Sequence, residues 1–141
     1  MTEILYTLTV PAFNTMLGAL LPIFAKAKAY AIEKKFDESV LISGRLAPDM
    51  FALARQVQIA ADFARGVSAR LAGVAVPTSE GQEKSFADLD AMLTQTLVFL
   101  DSLQAAQFDG SESREIVLRP GTPKEKKLSG HTYLEIGRAH V

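Results

Sequence analysis

The chain has 141 residues, 48% hydrophobic and 22% charged, which is one domain by size and enough apolar matter for one sizeable core. A net charge of −1, from 15 Lys and Arg against 16 Asp and Glu, leaves no basic stripe to neutralise a phosphate backbone, so nucleic acid is excluded as a partner. With no Cys, disulfides, thiolate metal sites and cysteine nucleophiles fall together, which suits a cytoplasmic location.

The first element is the stretch from Ile4 to Ala25, which carries no charge and is about long enough to cross a bilayer. Pro11, Pro22, Asn14 and three threonines interrupt it, and no basic segment precedes it, so the expectation is a core helix rather than a membrane span or a signal peptide. Val10, Phe13, Leu17, Leu20, Phe24, Ala27 and Ala31 recur at steps of three and four and define its inner face. Thr9 is expected as its N-cap, with Pro11 in the first turn, and Pro22 is expected to kink it. A short helical turn over FDESVL and a loop over SGRLAPD follow.

A second helix is expected to start near Pro48 and Asp49, where proline suits the first turn and a carboxylate suits the dipole. Leu53, Val57, Ala61, Ala64, Ser68 and Leu71 form its inner stripe, Arg55, Gln58, Asp62 and Arg65 fall on the face read as solvated, and Gly73 ends it. The polar connector VAVPTSEGQEK leads to Ser85 and Asp88, spaced as a capping box with Asp in the usual Glu position. The third helix begins there and runs through Phe86, Leu89, Leu93, Leu97 and Leu100. Between Val74 and Gly110 six acids face Lys84 alone, a local balance of −5 whose plain reading is an exposed helix face and loop. QFDGSES breaks the third helix, REIVLR reads as a strand, and PGTPKEKK turns it back through KKLSG as a small hairpin. SGHTYL then opens another helix.

Chemistry is sparse. The nine glycines form no phosphate-binding loop. The only histidines are His131 and His140, neither in a His-x-x-x-His nor a Glu-x-x-His spacing, so no metal ligand set is expected. The most distinctive segment is RLAPDMFALARQ, where Arg45, Asp49 and Gln56 are ligand-binding candidates at a pocket mouth, Asp49 orienting Arg45 by a charge-assisted bond. The competing account has Pro48 and Asp49 starting the helix while Arg45 bonds loop carbonyls. Met50, Phe51, Met92 and Phe99 read as core or as the wall of an apolar pocket.

The segments RLAPDMFALARQVQIAADFARG (45–66), SFADLDAMLTQTLVFLDSL (85–103) and QFDGSESREIVLRP (107–120) together resemble the family called domain of unknown function nineteen-ninety-three, within the DinB/YfiT-like four-helix-bundle superfamily. The resemblance implies an all-α, up-and-down four-helix bundle with a hairpin before its last helix. Superfamily relatives that bind metal use one histidine of the second helix and two of the fourth, and some are thiol-dependent transferases or isomerases. Here the second helix holds Gln56 and Phe63 but no histidine, so no ligand is carried over. The family pattern ends at Leu134, where a long apolar fourth helix is due. One coding of Glu135 to Val141, GAGATCGGAAGAGCACACGTC, contains the start of a common sequencing adapter. The expectation is therefore an incomplete domain over 1–134, with three long helices and the hairpin, the fourth helix missing, and a non-native tail over 135–141. Three functions remain open: a small molecule held between helices in the complete form, a non-catalytic module that forms a homodimer through apolar helix faces, and a metal-dependent, thiol-linked transferase by superfamily analogy. The residues name no cofactor and do not decide whether the chain is an enzyme.

Overall fold

The structure is a computed structural model that describes residues 2–139, with side chains described for residues 3–136. Its elements are α1 (Thr2–Gly18), α2 (Leu20–Glu33), α3 (Ser39–Ile42), α4 (Leu53–Ala72), α5 (Phe86–Asp101), a 3-10 turn (Ala105–Phe108), β1 (Glu115–Leu118), β2 (Lys126–Ser129) and α6 (Gly130–Ala139).

The first apolar stretch is two nearly continuous helices. A proline ring clashes with the carbonyl four residues back; for Pro22 this is Gly18, where α1 ends, so the expected kink is a break at Ala19. The helix begins earlier than its caps suggest. Thr9 is buried and its hydroxyl donates to the Leu5 carbonyl at 2.8 Å, so it is no N-cap, and Pro11 lies inside α1. Burial of Leu5 and the edge-on contact of Tyr6 with Phe108, centroids 5.3 Å apart, hold the added turns. Residues Glu3–Glu33 are long and apolar enough to cross a membrane, yet Leu5, Val10, Leu17, Phe24 and Ala31 along them enter the core.

α4 starts at Leu53 rather than near Pro48. The Met50 amide donates to the Ala47 carbonyl at 3.0 Å, closing a turn with Pro48 second and Asp49 third, a placement that suits proline as well as a helix start does. At the other end Gly73 adopts φ 73° and the Val74 amide returns to the Ala69 carbonyl at 2.9 Å, the left-handed stop expected of that glycine.

The inner stripe of α4 is buried as expected from Val57 to Leu71, but so are Gln58 and Arg65. The reason is position: α4 lies between α1, α5 and α6, and its small residues Ala61, Ala64, Gly66, Ser68, Ala69 and Ala72 let neighbours approach on several sides. The chain is not simply up-and-down. Gln58 bonds Glu83 just ahead of α5, and Arg65 bonds Thr96 one helix segment later, so α4 and α5 run parallel. α1 and α2 run against them, as the pairs Asn14 with Asp101 and Phe24 with Phe86 show. The connector 74–85, about 40 Å when extended, is long enough to return along the 20-residue α4.

α5 opens with the expected capping box. The Asp88 amide donates to Ser85 Oγ at 3.0 Å, and Asp88 Oδ2 accepts from the Ser85 and Lys84 amides at 3.2 and 3.0 Å. The Lys84 amide, and next the Ser85 side chain, hold the Asp88 carboxyl below its ordinary 3.8. A carboxyl depressed on folding stabilises the fold above its unfolded pKa, and that contribution disappears as pH falls through the folded value. Ser85→Ala is expected to cost about 1 kcal/mol in urea unfolding at neutral pH. The deficit should shrink below pH 4, and an unchanged deficit there would contradict the reciprocal cap.

The hairpin pairs β1 antiparallel to β2, with Ile116 opposite Leu128 and Ile116 turned into the core. It delivers the chain into α6. The Gly130 amide donates to Arg114 and the His131 amide to Glu112, at 2.9 and 3.1 Å, while Tyr133 and Leu134 are buried and the Tyr133 hydroxyl accepts from Arg70 at 2.9 Å. A final helix is thus present, and it is ten residues long. It runs through Glu135 and Ile136 to Ala139, across the boundary expected between domain and tail. His140 and Val141, the last two residues of the expected tail, lie outside the described residues.

Candidate functional site

Arg65 is the least expected side chain in the interior. It is 5% exposed, its Nη1 donates to Thr96 Oγ1 on α5 at 3.3 Å, and its Nη2 pairs with Asp62 one turn back on α4. Among the described residues its Nε has no partner, and neither does the Oγ of Ser68 one turn further on. Asp62 keeps more than half of its side chain in solvent, so it neutralises the guanidinium without being buried itself. Burying a guanidinium costs several kcal/mol even when paired, and hydrophobic residues of similar volume often stabilise as well or better. Holding an arginine between α4 and α5 is therefore poorly explained by stability.

Above Arg65 lies a polar cleft of about 420 Å³. The connector contributes Thr78, Ser79, Glu80, Gln82 and Glu83; α5 contributes Asp88, Ala91, Met92 and Gln95; α4 contributes Arg65 alone. Two devices hold this geometry. The capping box fixes Asp88 at the start of α5, and Gln58, itself buried, donates from Nε2 to Glu83 at 2.7 Å and ties the connector to α4. Arg55 donates to the oxygen of that same amide at 3.4 Å, extending the tie to the surface. The cleft offers one cation at its base, three carboxylates on its walls and several neutral hydrogen-bonding groups, which suits a small polar molecule.

The residues singled out in the sequence lie elsewhere. Arg45 donates to the Met50 carbonyl at 3.1 Å and Gln56 to the Phe51 carbonyl at 2.9 Å; each braces the 44–53 loop from its own side. Asp49 is exposed in the turn and, among the described residues, forms no ion pair with Arg45. None of the three lines the cleft over Arg65. Met50 and Phe51 are surface residues, Met92 is core and also cleft wall, and Phe99 packs against the core. His131 is exposed at the start of α6, and no group of His, Asp or Glu among the described residues is placed to hold a metal ion.

A single inner stripe on α4 misses Arg65 because the helix has two. Gln58, Ala61, Arg65, Ser68 and Ala72 also recur at three and four, and all five are buried. The density of Ala, Gly and Ser from Ala60 to Ala72 is the sequence signal that α4 is enclosed on more than one side.

The helical body with a hairpin leading into its last helix is a DinB-like architecture. The chain matches the family described as "Domain of unknown function (DUF1993)" over residues 5–136 and belongs to that family. Its structure is similar to the crystal structure of a DinB family member protein from Shewanella denitrificans, with a TM-score of 0.87 and 38% identity over 95% of this chain and 75% of that one. No curated protein matches it.

Proposed function

We propose that this chain is a cytoplasmic small-molecule-binding protein whose ligand sits in the cleft between α4, α5 and the connector. The observation that carries this reading is the buried Arg65 at the base of that cleft, a charge whose burial serves recognition better than stability. Amide chemical-shift mapping with a panel of small polar molecules tests it. Shifts should cluster at residues 78–83 and 88–95. Shifts confined to the 44–53 loop would transfer the site to Arg45, Asp49 and Gln56, and no shifts at all would sink the reading.

A second reading has its own observation. Met16, Ile23 and Tyr30, spaced by seven, are 63, 55 and 50% exposed along α1 and α2. Met16 and Ile23 lie in the uncharged stretch from Ile4 to Ala25, so two copies can lay that part of the face together without opposing like charges. In this reading the chain forms a homodimer through that stripe, and light scattering behind size exclusion should show a mass that rises with concentration and falls back in Met16→Glu/Ile23→Glu. A mass fixed at 15.3 kDa throughout would remove it. No observation favours the metal-dependent transferase.

A further inference from the structure

The charges around the cleft narrow the ligand class, an inference that rests on the cleft being the binding site. A simple anion is disfavoured there. Glu80, Glu83 and Asp88 all line it, the Lys84 side chain does not, and Arg65 is already half-satisfied by Asp62. A simple cation is drawn by the three carboxylates but is repelled by the Arg65 guanidinium at the base. A molecule carrying both charges a few ångströms apart answers both. We propose that the cleft takes a free α-amino acid, its carboxylate toward Arg65 and its ammonium toward the carboxylates of the connector and α5.

Three observations refine the class. Asp88 is held ionised by the amides of the α5 cap, so one wall stays anionic at neutral pH whether or not a ligand is present. Beside Ala91 and Met92, the remaining lining is Thr78, Ser79, Gln82 and Gln95, hydrogen-bonding groups that favour a polar side chain on the bound amino acid over an apolar one. Glu80 makes no hydrogen bond or ion pair among the described residues, which leaves its carboxylate available to an ammonium group.

The test is calorimetric titration of the full chain with glutamine, asparagine and serine. Glutamine is then compared with γ-aminobutyramide, which lacks the carboxylate, and glutaramate, which lacks the amine. At least one amino acid should bind, with loss of either charged group of glutamine weakening binding by at least about tenfold. Glu80→Gln should melt like the parent chain and bind the amino acid at least about tenfold more weakly. Heat from none of the three amino acids, or a single-charge analogue binding within about threefold of glutamine, would overturn the proposal. Cleft shifts from other molecules in the mapping panel would then keep the site while rejecting this ligand class.

Discussion

Gly130→Ala should be the most damaging small substitution in the chain. A Cβ built there overlaps the Ser111 carbonyl oxygen and comes within 2.9 Å of Leu71 Cδ2, so it meets backbone on one side and a buried side chain on the other. Neither yields cheaply. The Ser111 carbonyl is held by the turn in which it accepts from the Arg114 amide, and Leu71 is fully buried in α4. Relief requires moving the start of α6 outward, which breaks the Gly130 amide bond to Arg114 and uncovers Tyr133 and Leu134. The expected cost is about 3 kcal/mol, or a fall in melting temperature of about 10 °C. Gly18→Ala is the control, since a Cβ there meets nothing within 4 Å; it should hold or slightly raise stability. A G130A protein as stable as its parent would mean that α6 is not docked as described.

The second large effect separates recognition from stability at Arg65. Arg65→Met replaces the guanidinium with an apolar group of similar length at the α4–α5 contact. What the arginine leaves behind is cheap: Asp62 remains hydrated, and the Thr96 hydroxyl still donates to the Met92 carbonyl at 2.9 Å. With no orphaned partner, unfolding in urea should shift by no more than about 1 kcal/mol in either direction. Ligand affinity should fall at least about a hundredfold, since a desolvated charge-assisted contact is lost. Collapse of the fold on this substitution would instead make Arg65 a structural strut.

Features that act locally are legible in the residues themselves. Ser85 with Asp88, Gly73 and Pro22 each work through backbone groups within four residues, and each stands where the pattern places it. The misread positions have two local solutions, and distant packing chooses between them. Pro48 fits a helix start or a turn and takes the turn; Thr9 fits a cap or a buried hydroxyl and is buried because Leu5 and Tyr6 reach the core. The order of helices is legible, but the parallel path of α4 and α5 is not, because a connector long enough to return is also long enough to turn. The candidate site is the least legible part. Arg65 owes its burial to α5, whose contact with it lies 31 residues away along the chain, and the conspicuous RLAPDM segment braces its own loop.

The most direct measurement is to record amide chemical-shift maps for the parent chain and Arg65→Met with the same panel of small polar molecules. The account predicts shifts over 78–83 and 88–95 in the parent and none in the folded variant. The same shifts in both proteins would contradict the claim that Arg65 holds the ligand.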